Sequence, residues 1–121
     1  MGQSYIEFAV KHPNQYKLMF MTPLPVEPSA EDLSRKGDPL LDGYAALQQA
    51  VAEAIAAGCL RSRHRDAELA AQILWAGVHG VASLHIALAH DPWIDWRTLA
   101  ERAQGMLDAL FYGLLADSCP R

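Results

Sequence analysis

Cysteine is scarce in these 121 residues, neither half of the chain is a basic block, and no uninterrupted apolar run is long. Each shortage removes a class of function. Two cysteines, Cys59 and Cys119, match no metal-binding or redox spacing, so the reading is a reduced, intracellular chain. Ten Lys and Arg against fourteen Asp and Glu leave a net charge of −4, divided at Leu60 into −3 and −1. Duplex gripping needs clustered cations, so this stretch is not expected to hold DNA itself. The longest apolar tract, 73–89, is broken by His79, Ser83 and His85. It falls short of the ~20 residues of a membrane span and reads as a buried helix. Phosphate-cradling glycine loops are missing too, because Gly77 and Gly80 lie inside a helical pattern.

What is present is helix-forming and apolar. Hydrophobic residues make up 51% and charged residues 20%, which excludes disorder and fits one domain over residues 1–121. Tyr5, Phe8, Ala9 and His12 share a face of an opening helix that Pro13 interrupts. His12-Pro13 begins a second, with Tyr16, Met19 and Phe20 at i, i+3, i+4. Residues 22–37 are proline-rich and read as a loop. Asp38-Pro39 is an N-cap and first-turn proline for a helix carrying Leu40, Tyr44, Leu47, Val51 and Ile55, closed by Gly58. The basic run 61–65, read as a solvated corner rather than a nucleic-acid or membrane contact, leads to Asp66, the next N-cap. A helix from 67 to about 89 is apolar nearly all round, so it must lie between its own core and something else. Asp91-Pro92 turns the chain, and Asp95 is expected to cap a last helix to about 116. The surplus apolar surface of these last two helices predicts a homodimer, with Val78, Leu84, Leu88, Leu107, Leu110, Phe111 and Leu114 at the interface.

Candidate chemistry is thin. His79 has Trp75 and Ser83 at its one-turn neighbours, neither a useful ligand, so no metal site and no cofactor are expected. No elbow presents Ser83, and Glu7, Glu53, Glu68, Glu101 and Asp108 lie on polar faces, which argues against an enzyme. His79 reads as a hydrogen-bonded group in a core or cavity wall. Aromatic and thioether residues at helical spacing suggest an apolar cavity for a small organic molecule. Its expected lining is Phe8, Tyr16, Met19, Phe20, Tyr44, Leu47, Val51, Trp75 and His79. Gly77 and Gly80, each costing about 1 kcal/mol against alanine, imply a close approach there.

Taken together, YIEFAVKHPNQYKLMF, the Asp38-Pro39 helix ending in AAGCL, and DAELAAQILWAGVHGVASL resemble the C-terminal regulatory domain of TetR-family transcriptional repressors. The subtype is the one marked by Trp-x-x-x-His-Gly, here Trp75, His79 and Gly80. The resemblance implies an all-α domain that binds a small effector and dimerises through its last two helices as a four-helix bundle. It also implies an N-terminal helix-turn-helix domain outside this sequence, through which alone operator DNA would be bound, and a cytoplasmic protein with no membrane partner. Two rival readings are a helical dimerisation module without ligand and a small-molecule enzyme using His79.

Overall fold

The computed structural model describes residues 2–21, 43–117 and 119, the side chains of 18–20 excepted. Among them are five helices: α1 (Gly2–Lys11), α2 (Pro13–Phe20), α3 (Gly43–Ala56), α4 (Ala67–Leu88) and α5 (Leu99–Leu114). The proline-rich loop and the Asp38-Pro39 helix start fall outside the described residues. One isolated antiparallel bridge, Leu60 with Leu115, is the only β pairing among the described residues.

Local chemistry sets the helix ends. Pro13 occupies the first turn of α2, where its missing N–H costs nothing. Gly58 ends α3 with φ of 76°. The Cys59 N–H reaches Ala54 O at 2.9 Å and the Gly58 N–H reaches Ile55 O at 3.0 Å, the paired bonds of a Schellman cap. Asp66 caps α4 as expected, its Oδ1 accepting from the Leu69 N–H at 3.2 Å. The start of α5 differs from expectation: the cap is Thr98, not Asp95. Thr98 and Glu101 form a reciprocal capping box, each backbone N–H donating to the other's side chain at 3.1 Å. Only a hydroxyl residue three before a Glu or Gln makes that double bond, and Asp95 has Thr98 there instead.

Contacts gather into two units. The first contains α1, α2 and the chain from Trp75 to Phe111. Its core joins Ile6, Val78, Val81 and Ala103, with Trp75, Leu99, Met106 and Leu107 packed against them. A second cluster joins Ala9, Tyr16 and Ala82, flanked by Phe8 and Ile86. Small residues on α4 let its neighbours close in. A methyl added at Gly77 would sit 2.5 Å from Leu110 Cδ1, so the expected close approach is real there. A methyl added at Gly80 would meet nothing within 4 Å outside the helix's own backbone, so the close approach expected there has no counterpart among the described residues.

The second unit contains α3, the chain through Leu74, and the stretch from Tyr112. Val51, Ala70 and Ala71 form its core, with Tyr44, Leu47, Ile55, Leu60 and Leu74 around them. Its last residues are fastened to the turn after α3. The Arg61 N–H donates to Leu114 O at 2.8 Å and the Ala116 N–H to Cys59 O at 2.7 Å. Arg61, expected to be a solvated corner, reaches Tyr112 O and the Asp117 carboxylate, each at 3.3 Å. These bonds place Cys59 beside Cys119, and the two form a disulfide with Cα atoms 4.8 Å apart. The reading of two reduced thiols is therefore corrected. A contact between residues 60 apart leaves no mark on local spacing.

Helix α4 also corrects the membrane arithmetic. Its 22 residues, with mean hydropathy 1.3, are long and apolar enough to cross a bilayer by length and composition. The same composition serves a helix shared between cores: Ala70 and Ala71 are buried in one, Val78, Val81 and Ala82 in the other.

The disulfide closes a loop of 60 residues, a constraint on the unfolded chain worth about 4 kcal/mol in the loop-entropy treatment. Urea unfolding of the oxidised protein should therefore show a higher midpoint than the reduced protein or Cys59→Ser. Coincident curves would mean that the bond adds nothing to stability.

Candidate functional site

Three polar side chains of the first unit converge on the Tyr5 hydroxyl. Tyr5 on α1 lies one turn before Phe8 and Ala9, whose face packs on the cluster containing Ala82 of α4. Trp75 and His79, one turn apart on α4, point the same way. Trp75 Nε1 can only donate, and it donates to the Tyr5 hydroxyl at 3.1 Å. The Tyr5 and Tyr16 hydroxyls are 2.8 Å apart. Nδ1 of His79 lies 3.1 Å from the Tyr5 hydroxyl and makes a short hydrogen bond with that of Tyr16. The rings stack as well: Tyr5 meets Tyr16 edge-on at 5.5 Å, and Tyr16 lies 5.3 Å from the His79 ring.

Proton counting orders this network. Burial pushes the His79 imidazole below its usual range and favours the neutral ring. Burial first, then the Tyr5 hydroxyl beside it, pushes the Tyr16 phenol far above its usual range, so it keeps its proton. A neutral His79 protonated on Nε2 accepts at Nδ1, which gives one continuous line of donors. Trp75 donates to Tyr5, Tyr5 to Tyr16, and Tyr16 to His79. Protonating His79 places a hydrogen on Nδ1 and reverses the last two bonds. Such a line has the chemistry to orient a polar group. It does not supply a tyrosinate nucleophile, and the Nδ1 lone pair that a general base would use is already engaged.

The expected lining residues divide between the two units. Tyr16, fully buried, Trp75 and His79 come together in the network, and Phe8 packs beside Tyr16. Tyr44, Leu47 and Val51 belong to the second unit's core. There the Tyr44 hydroxyl donates to the Glu68 carboxylate, which raises its pKa, and accepts from Gln72 Nε2 at 3.2 Å. The Met19 and Phe20 side chains are outside the described residues. Tyr5, at the centre of the bonding, was missing from the expected set, although it opens the very motif that carries the resemblance. Its spacing from Phe8 and Ala9 placed it on the inward face, but nothing local shows that its hydroxyl meets α4.

The expected interface residues divide too. Leu84, Leu88 and Phe111 are exposed at 46%, 39% and 43%. Val78 is buried in the first unit's core, with Leu107 packed against it, and Leu110 lies over Gly77. Leu114 is buried in the second unit. Among the described residues, no three His, Cys, Asp or Glu side chains gather as a metal site would require.

The family described as Tetracyclin repressor-like, C-terminal domain matches residues 1–110. The chain belongs to that family. No curated protein and no solved structure matches it. Membership makes this a regulator-type domain of the TetR class, all-α in architecture.

The depressed His79 pKa has a definite consequence for stability. Above its ordinary value near 6.5 the ring is neutral in both folded and unfolded chains. As pH falls through that value, the unfolded chain takes up a proton that the folded ring resists, so folding free energy drops. His85, lowered by burial, Arg102 and His90, acts in the same direction. Urea unfolding from pH 7.5 to 5 should give a shallower fall for His79→Gln than for the parent. Equal slopes would show that His79 titrates as a free imidazole. Tyr16→Phe, which keeps the ring and removes the shared hydroxyl, should cost about 1 kcal/mol at neutral pH.

Proposed function

We propose that this domain senses a small organic effector through the Trp75–Tyr5–Tyr16–His79 line and transmits occupancy through a homodimer. In a one-component repressor this would control a helix-turn-helix domain carried elsewhere in the regulator. One observation carries the reading. Tyr5 of the Tyr-x-x-Phe-Ala opening and Trp75 and His79 of Trp-x-x-x-His-Gly, residues behind the family resemblance, are joined with Tyr16 in one hydrogen-bonded assembly. A packed core alone has no use for four polar side chains, since apolar groups of the same shape fill space without the cost of desolvation.

The assembly sets the effector's chemistry. A neutral line of hydroxyl and imidazole groups beside Phe8 and Trp75 suits an uncharged or weakly acidic molecule with an apolar body. Binding can bias two arrangements of a dimer only by the effector's difference in affinity for them. Exposed Leu84, Leu88 and Phe111 support the second-copy contact, because such side chains scattered in water gain about 25 cal/mol per Å² on burial. Operator half-sites lie one helical turn apart, so head separation is what such a dimer would set. Neither a cofactor nor a membrane enters this scheme, and the cytoplasm is where it would operate.

Native mass spectrometry should report a dimer, and Phe111→Glu or Leu88→Glu should shift it to monomer. Screened against uncharged and weakly acidic aromatic compounds, a true effector at one hundred times its Kd should add about 2.7 kcal/mol of stability. Trp75→Ala should abolish most of that gain. A monomer that no compound stabilises would overturn the proposal, and a ligand-free dimer would favour the purely structural module.

A further inference from the structure

A second polar cluster lies in the first unit, built from residues the effector line does not use. Arg102 on α5 donates Nε–H to Arg97 O and Nη2–H to His85 Nδ1, both at 2.9 Å. Its guanidinium lies 4.8 Å over the Trp96 ring. The bond to Nδ1 needs a neutral His85 protonated on Nε2, in keeping with the downward pull of burial, Arg102 and His90 on that imidazole.

A guanidinium withdrawn from water is ordinarily matched by a carboxylate. Nearby acids are committed elsewhere. Asp91 Oδ1 accepts the Trp93 N–H at 2.8 Å, Asp95 pairs with Arg97 at 3.1 Å, and Glu101 closes the capping box. Two donors on the stacked pair, Arg102 Nη1 and Trp96 Nε1, are buried and meet no acceptor among the described residues. Buried donors without acceptors are rare enough in folded proteins that each calls for a specific cause.

We propose that Arg102 and Trp96 form a binding site for a small carboxylate anion, one oxygen accepting from Arg102 Nη1 and the other from Trp96 Nε1. The donor set selects the ligand. It offers one fixed positive charge, two N–H groups and no acceptor, which matches the charge and two oxygens of a carboxylate. A phosphate dianion would call for a second cation, and the neighbouring Arg97 is exposed and already paired with Asp95. Trp96 sits on the connection between α4 and α5, held there by backbone bonds such as Ile94 N–H to Asp91 O at 3.4 Å and Trp96 N–H to Ile94 O at 3.1 Å. Both donors are covered, so the proposed ligand must displace this connection to reach Nη1.

The test is a sodium acetate titration of the full chain at constant ionic strength, followed by the indole N–H resonances of its three tryptophans. The Trp96 signal, identified by its loss in Trp96→Phe, should shift and saturate. Arg102→Gln should weaken acetate at least tenfold. Should that variant fail to fold, Trp96→Phe, which keeps the ring and loses the donor, should weaken acetate when binding is read from the imidazole resonances of His85. Acetate should also move the His85 titration upward, by offsetting the charge of Arg102. No response at Trp96, an unchanged acetate affinity in Trp96→Phe, or an equal response to chloride (an adventitious ion only) would overturn the site. So would a Trp96 signal that changes on dilution to monomer without acetate, which would assign the acceptor to a second copy. None of these readouts depends on the effector line.

Discussion

A phenol hydroxyl buried with its ring has to be given a partner, and Tyr16 is the largest fully buried side chain among the described residues. Its hydroxyl meets Tyr5, brought by α1, and His79, brought by α4. The short helix α2 therefore owes its place to polar bonds as well as to packing against Ala9 and Ala82. Replace the network by apolar groups and the unit could still fill its core, but the relation of these three helices would no longer be specified by a directional interaction. A ligand that competed for any of those hydrogen bonds would act on all three helices at once, as the proposed sensing role requires.

Stability and responsiveness are drawn from different chemistry in the two units. In the first, a core of Ile6, Val78 and Val81 accompanies two imidazoles, His79 and His85, that burial pushes below their usual range. In the second, the Schellman cap at Gly58, the Leu60–Leu115 bridge, Arg61 and the disulfide all fasten one corner of the chain. Covalent closure of a long loop acts on the unfolded state and is indifferent to the effector line. The half-buried Arg102, stacked on Trp96 and bonded to His85, lies in the first unit with the groups that titrate rather than with the corner that is locked.

Family membership and geometry support each other at specific residues. Trp75 and His79 are spaced one turn apart because both must address the same neighbouring helix. Gly77, between them in sequence and turned to another side, admits Leu110 and Met106 of α5. One short stretch of α4 thus serves a polar contact and a close helix approach on different faces. The absence of a polar face, which marked this helix from the start, follows from that double duty.

Local periodicity and punctuation were sufficient to read the helices, the Pro13 break, the Asp66 cap and the Gly58 stop, because each is determined within a turn or two of chain. The all-α class and the inward placing of Tyr16, Trp75 and His79 followed from the same rules. Three things were beyond them. Tyr5 as the hub, the Cys59–Cys119 bond and the Arg102–His85–Trp96 cluster each depend on side chains at least six residues apart, and mostly much further, meeting in space. The Thr98 cap was legible as a Thr-x-x-Glu pattern, and the nearer-looking Asp95 obscured it. A one-dimensional pattern says which face of a helix turns inward; which atom waits there is decided only when another helix arrives.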